Sequence, residues 1–463
     1  MKQTALFFLR HYLFWGFVFL LFRALFLLSL APLPGHIGSL EILRVFYEGY
    51  RLDWSTASYF AVIPFLLTTI LSFGGDRQVF PILRVYYLIL IVLVVVLYLS
   101  NIVVYKYWGT LLNNRALAFA AQPAEMFASA NSLQIAVIFS LIGILCLVMI
   151  RCFKRYLYKV YTDISGTLRQ RLLGLIPWLL FIGIGIRGGL QLIPVNESSA
   201  TFSTHQALNQ VAINGIWHLG HNLKQSGFNE SNPYHWMDPG EAERIVHELV
   251  SPGKKGSAIA ELFTLSERPN IMIILLESWT ADIIEPLGGI AGVTPEFTRL
   301  SKEGLLFTNI YSSGFRTDQA LTSVLSGFPA QPNKSIIRFP DKTAKLPALG
   351  KILLEQGYTN SFYYGGETGF ANMNSYLKAS GFNHISDIND FPKEHRNSKW
   401  GVHDGFVFER HSSDLTIAKQ PFFSVLLTLS THEPFEVPVE TPFNESGEPE
   451  QFKKSAWYTD LCL

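Results

Sequence analysis

Two side chains carry the chemistry this chain can do. Glu277 directly follows Asn270–Leu276 (NIMIILL), a continuous apolar run of the kind that forms a fully buried parallel strand. A carboxylate at the C-terminal end of such a strand lies where open α/β sheets hold their ligands. Thr317 stands at the N-terminal boundary of the helix predicted within SSGFRTDQALTSVLSG (residues 312–327), with Gly327 as its stop. A threonine there caps a helix well. It also suits a nucleophile: free N–H groups and the positive dipole end stabilise an alkoxide and a bound phosphate. The hydroxyl still needs activation, which a divalent cation held by Glu277 would supply. The two readings are compatible, and the local sequence leaves both open.

The elements that must position these residues follow from periodicity. Thr294-Pro295 opens a helix, 304–310 (GLLFTNI) reads as the next strand, 346–355 as a helix, and 359–364 as a strand. Residues 373–379 read as helical, and 422–429 (FFSVLLTL) as another buried strand. Strands alternating with helices imply a mostly parallel sheet covered by helices on both faces.

The first 192 residues are of another kind. Apolar runs at 13–30, 57–73, 86–104, 133–150 and 172–192 approach the ~20 helical residues that span a bilayer core. Arg23 interrupts the first run, facing the bundle or snorkelling, and Arg187 interrupts the fifth. The loop 151–171 holds Arg151, Lys154, Arg155, Lys159, Arg169 and Arg171 against Asp163 alone, which makes it cytoplasmic. Arg77, Arg84, Lys2 and Arg10 fall on that same side. Five spans then place everything after Leu192 outside the cell. Residues 193–268 form a stalk: Leu208, Val211, Ile216 and Leu219 recur at helical spacing, with Trp217 and Trp236 as interfacial anchors and Lys254-Lys255-Gly256 as a turn. An amphipathic helix on the membrane and an ordinary domain-edge helix fit this pattern equally. The expected organisation is a five-helix membrane domain (1–192), a stalk (193–268) and an extracytoplasmic α/β domain (269–463). Hydrophobic residues make up 49% of the 463 and the net charge is +1, so nothing points to nucleic acid. Three cysteines, with only Cys462 in the exported part, exclude a disulfide framework there.

The ordered series NIMIILLESW, GFRTD, LSGFP, YYGGETGF, KWGVHD and STHEPF resembles the lipoteichoic acid synthase-like branch of the alkaline phosphatase/sulfatase superfamily. The five-helix anchor resembles that branch too. The resemblance implies that Glu277 is a metal ligand and that Thr317 is both ligand and nucleophile, forming a phospho-enzyme. It implies His432 beside the substrate phosphate and Phe370 as an aromatic beside the phosphoglycerol; Arg316, next to Thr317, suits a phosphate oxygen and a solvated surface position equally. The implied cofactor is one divalent ion, manganese expected, with magnesium, calcium or zinc also compatible. The implied function is a transferase of the bacterial plasma membrane that moves a phosphoglycerol head group from a lipid such as phosphatidylglycerol to an envelope glycan or polymer.

Family members complete the metal site with an Asp-His pair on a later strand. No Asp-His-Gly occurs here, and Gly401-Val402-His403-Asp404-Gly405 has the reverse order and comes too early. The expectation is therefore a C-terminally truncated chain with little or no turnover by itself. Three rivals remain. A formylglycine sulfatase is disfavoured, because SSGFRT does not contain C/S-x-P-x-R. A phosphoethanolamine transferase shares the anchor and the threonine but usually carries exported disulfides. An inactive pseudoenzyme that binds lipid or polymer is the non-catalytic alternative.

Overall fold

The structure is a computed structural model that describes residues 2–31, 37–73, 79–113, 116–117, 132–162, 168–226, 237–250, 268–331, 335–443 and 446–463. Its first part consists of long helices: α1 (Lys2–Ser29), α2 (Ser39–Glu48), α3 (Tyr50–Ser72), α4 (Val79–Trp108), α5 (Ser132–Phe153), α6 (Lys159–Thr162) and α7 (Leu168–Arg187). Five stretches are long and apolar enough to cross a membrane: Lys2–Ser29, Ser39–Ser72, Val79–Trp108, Ala136–Thr162 and Leu168–Arg187. Each predicted run lies within one of them except at its ends. The fifth run was read through Leu192, but α7 stops at Arg187. Gly188 and Gly189, at φ +82° and +131°, turn the chain out of the helix.

Aromatic rings fill the bundle. Trp15 meets Phe60 at 4.8 Å between ring centres, and Phe22 stacks on Tyr98 at 4.7 Å. Arg23 faces inward. Its guanidinium makes a bidentate pair with Asp53 at 2.7 and 2.8 Å, and it donates to the Ala212 carbonyl at 3.1 Å. Asn214 donates to the same Asp53 carboxylate at 2.9 Å. A buried charge persists only when paired and hydrogen-bonded, and this one is both. Gly49, between α2 and α3, makes room for it: a Cβ there would overlap both the guanidinium and the Ala212 carbonyl.

The stalk residues form α8 (Gln206–Ala212), α9 (Gly215–Ser226) and α10 (Pro239–Val250). Leu208, Val211 and Ala212 are buried with Phe26, Val45 and Leu52, so α8 packs into the bundle rather than merely lying at a surface. The Trp217 ring is half-buried and stacks on His221 at 4.7 Å. Trp236, residues 254–256, Arg77 and Asp163 lie outside the described residues.

The second part is an α/β unit. Four strands, β1 (Ile271–Leu275), β2 (Thr359–Tyr364), β3 (His384–Ser386) and β4 (Phe422–Leu427), form a parallel sheet in the order β1-β4-β2-β3. Its helices are α11 (Pro295–Ser301), α12 (Thr317–Ser326), α13 (Pro340–Thr343), α14 (Leu349–Glu355), α15 (Met373–Ala379), α16 (Asp404–Thr416) and α17 (Glu448–Leu461). Alternate side chains separate the two faces. Phe362, Phe423 and Val425 pack with Leu321 and Leu325 of α12, Leu353 of α14 and Leu377 of α15. Tyr363 and Leu426 pack with Val407 of α16 on the other side. Each such buried side chain contributes about 1.5–3 kcal/mol. A multi-helix membrane domain joined to a parallel sheet with helices on both faces is the architecture expected from the sequence.

Two expectations fail, and one strand was not foreseen. Residues 304–310 form no strand. Phe307 is 67% exposed there, and the segment makes no ladder with the neighbouring edge. An apolar run becomes a strand only where a partner meets it. β1 is not fully buried, for it is the edge strand and its Met272 is 53% exposed. β3 was missed, because three residues of mixed polarity give no periodic signal.

Candidate active site

β1 delivers Glu277 to the C-terminal edge of the sheet, and the chain from β4 locks it there. The Glu277 amide donates to the Thr428 hydroxyl at 2.8 Å, and the Thr431 hydroxyl donates to the Glu277 carbonyl at 2.5 Å. The next residue, Ser278, sits at φ +59°, a left-handed conformation costly for a side-chain-bearing residue. Hydrogen bonds on both sides of the Glu277 peptide hold that turn in place.

Thr317 is the first residue of α12. Arg316 occupies the cap position with extended backbone and makes no side-chain cap. The Thr317 hydroxyl does not cap the helix either: it donates to Glu277, 2.9 Å from Oε1 and 3.0 Å from Oε2. The capping reading therefore gives way to a pairing of hydroxyl and carboxylate at a helix N-terminus. His432 joins them, its Nε2 3.6 Å from Glu277 Oε1. Its ring lies 5.3 Å from Trp400, whose indole N–H donates to the Glu433 carbonyl at 2.7 Å. Tyr364, at the end of β2, is buried. Burial, then the charges of Glu277 and Asp404, pushes its phenol well above the ordinary range, so it stays neutral.

Glu277, Thr317 and His432 thus meet. Arg316 lies beside them in sequence, with its guanidinium 5.4 Å over the Phe315 ring. Phe370 is 48% exposed on a separate 3-10 turn, Phe370–Asn372. Sequence reading missed Thr428 and Thr431, although both stand in the TLSTHEPF segment that carries His432. It also gave Asp404 no role. That carboxylate is 1% exposed and accepts from the amides of Leu429 (2.7 Å) and Ser430 (3.1 Å) and from the Thr459 hydroxyl (2.7 Å). Burial raises its pKa and those bonds oppose the rise. Asp404 thereby fixes the turn on which Thr428, Thr431 and His432 are mounted.

The donors fit part of a divalent-cation site. Two carboxylate oxygens and a hydroxyl converge at an accessible sheet edge, a hard set suited to magnesium or manganese. Among the described residues no group of three His, Cys, Asp or Glu is gathered to hold a metal.

Residues 269–455 match the family model described as Sulfatase. The matched segment contains Glu277, Thr317, Arg316, Phe370 and His432. Phosphoglycerol transferase I of Xanthomonas campestris pv. campestris (strain B100) is 30% identical over 217 residues, which cover 43% of this chain and 29% of that protein. Lipoteichoic acid synthase of Staphylococcus saprophyticus is 28% identical over 217 residues, 44% of this chain and 33% of that protein. The chain thus spans about a third of the length of these relatives. A Vibrio parahaemolyticus protein of the alkaline phosphatase superfamily has a solved structure that aligns with TM-score 0.43 at 26% identity, covering 50% of this chain and 58% of that one. The resemblance read from the motifs is borne out by the domain and by the names of these relatives.

Proposed function

We propose that the Sulfatase domain is the transferring part of a membrane-bound phosphoglycerol transferase with Thr317 as its nucleophile. One observation carries the reading: the Thr317 hydroxyl, at a helix N-terminus, is held by both oxygens of Glu277. Two relatives named for phosphoglycerol transfer and lipoteichoic acid synthesis support the choice of group.

In the first step Thr317 Oγ1 attacks the phosphorus of a phosphatidylglycerol-type lipid. The bond from phosphorus to the diacylglycerol oxygen breaks, and that oxygen leaves carrying the proton that Glu277 takes from Thr317. Glu277 accepts the hydroxyl proton along the hydrogen bond it already makes. His432, beside Glu277, binds a phosphate oxygen, and Arg316 adds a second charged contact. The helix N-terminus stabilises the developing negative charge. Glu277 and Thr317 are the residues that would hold a divalent cation, manganese by family resemblance. When bound, that ion would lower the hydroxyl pKa and offset phosphate charge. In the second step the hydroxyl oxygen of an envelope glycan or polymer attacks the phosphorus, the bond from phosphorus to Thr317 Oγ1 breaks, and the acceptor's proton passes by way of Glu277 to Oγ1. The basic 151–171 loop favours a cytoplasmic N-terminus and an extracytoplasmic site, where donor and acceptor both lie.

The test is covalent labelling of the detergent-solubilised chain with phosphatidylglycerol and manganese. The expected result is the mass of one phosphoglyceryl group on the peptide containing Thr317, absent from Thr317→Ala. Slow turnover suffices, since the label accumulates. No label on the unaltered protein, or a label that survives Thr317→Ala, would overturn the reading.

A further inference from the structure

The segment that follows the last membrane helix reaches into the Sulfatase domain and takes hold of one loop. Asn196 Nδ2 donates to the Gly369 carbonyl at 2.6 Å. The Ser198 hydroxyl accepts from the Ser375 amide at 3.2 Å and donates to Asn372 at 3.4 Å. Asn374 donates to the carbonyls of Ser198 (3.3 Å) and Thr201 (2.8 Å). Just upstream, the Glu367 carboxylate accepts from the Ile193 backbone and lies near Arg51 and Arg187. Every one of these contacts joins a residue of 193–201, or a membrane-helix arginine, to the stretch 367–375.

That stretch is strained. Ala371 and Asn372 both have positive φ, +49° and +62°. Neither is glycine, and two consecutive left-handed residues persist only where the surroundings over-determine them. The surroundings here are Asn196, Ser198 and Thr201. Glu197 anchors the same segment from behind, with its carboxylate 2.7 Å from His218 Nδ1 on α9, both side chains nearly fully buried. The loop continues toward the nucleophile: Asn372 donates to the Arg338 carbonyl at 3.4 Å, and Arg338 Nε is 3.5 Å from Asp318, the neighbour of Thr317.

We propose that Asn196 and Ser198 are positioning residues of the active site, by which the membrane domain holds the 369–375 loop, and with it Phe370, in its left-handed form. The site is therefore fully formed only when the Sulfatase domain is seated on its own membrane helices. The catalytic consequence rests on Phe370 contacting the phosphoglyceryl group, whereas the structural consequence does not.

Hydrogen exchange on the full chain in detergent separates the two. In Asn196→Ala/Ser198→Ala, peptides covering 369–376 should exchange roughly tenfold faster, with β4 unchanged, because the lost contacts hold only that loop. Ser198→Thr, which keeps the hydroxyl, should restore protection. Labelling of Thr317 by phosphatidylglycerol should then need several-fold more lipid in the double variant, with the final extent unaltered. Unchanged protection at 369–376, equal loosening of β4, or no recovery in Ser198→Thr each overturns the proposal. Failure of Thr317 labelling in the unaltered chain, with exchange behaving as stated, overturns the proposed function and leaves this loop assignment standing.

Discussion

At the scale of single residues, the pairing of Thr317 with Glu277 makes two demands that other roles would not. A threonine serving as a cap is replaceable by serine, asparagine or aspartate with little loss. A nucleophile is replaceable by serine at most. Thr317→Asn should therefore fold normally by thermal denaturation yet lose transfer by about 10³-fold or more, as expected when a covalent nucleophile is removed. Glu277→Gln keeps the shape but no longer accepts a proton or holds a cation firmly, and should lose a similar amount. His432→Ala, which removes the ring beside Glu277 and the phosphate contact proposed for it, should cost about 10–100-fold in the labelling rate. Retained labelling in Glu277→Gln would show that the carboxylate merely positions the hydroxyl. These two residues were legible in the sequence because each sits at an element boundary, where propensity and chemistry coincide.

At the scale of elements, the turn after β4 governs the site more than the strand does. Thr428 and Thr431 hold the Glu277 peptide, and Asp404 holds their turn. Thr431→Val should cost about 1 kcal/mol of stability, the usual worth of one hydrogen bond, but lower transfer well beyond that. Comparing melting temperature with labelling rate measures the difference. Side chains that act through another residue's backbone leave no pattern in sequence, which explains why reading the residues reached His432 but not its supports. The strand expected at 304–310 failed for a related reason. Its composition is apolar, yet a ladder depends on a partner that local sequence cannot name. β2, α12 and α15 were legible because their periodic faces meet the core directly.

At the scale of the whole molecule, two buried ionic contacts brace the membrane part and the segment that follows it. His218 is pulled two ways: burial lowers its pKa, and Glu197 and then Asp341 raise it by more, so the net shift is upward. A raised folded-state value means that the contribution of the pair is complete below the unfolded value of about 6.5 and fades as pH rises through the folded one. Thermal stability of the full chain should thus fall on going from pH 6 to pH 9. His218→Asn should flatten that part of the profile; an unchanged slope would remove the pair from the account. In the bundle, Asp53→Leu strands the Arg23 guanidinium and should cost about 3–5 kcal/mol, whereas replacing both partners by apolar residues should cost much less. The sequence announced the two domains through composition, but not the seam between them. That seam is made of Asn196, Ser198 and Thr201, polar residues whose partners lie about 170 positions away.

Gly49 is where that seam begins to matter for variation. The missing side chain lets the α8 backbone come down against the Arg23 guanidinium, where a Cβ would overlap both. Any larger residue there should push α8 outward, and Asn214, Glu197 and the 369–375 loop with it. A glycine inside the membrane portion is thereby a tolerance setting for the distant loop: Gly49→Ala should lower labelling of Thr317 although the Thr317–Glu277 contact itself is untouched.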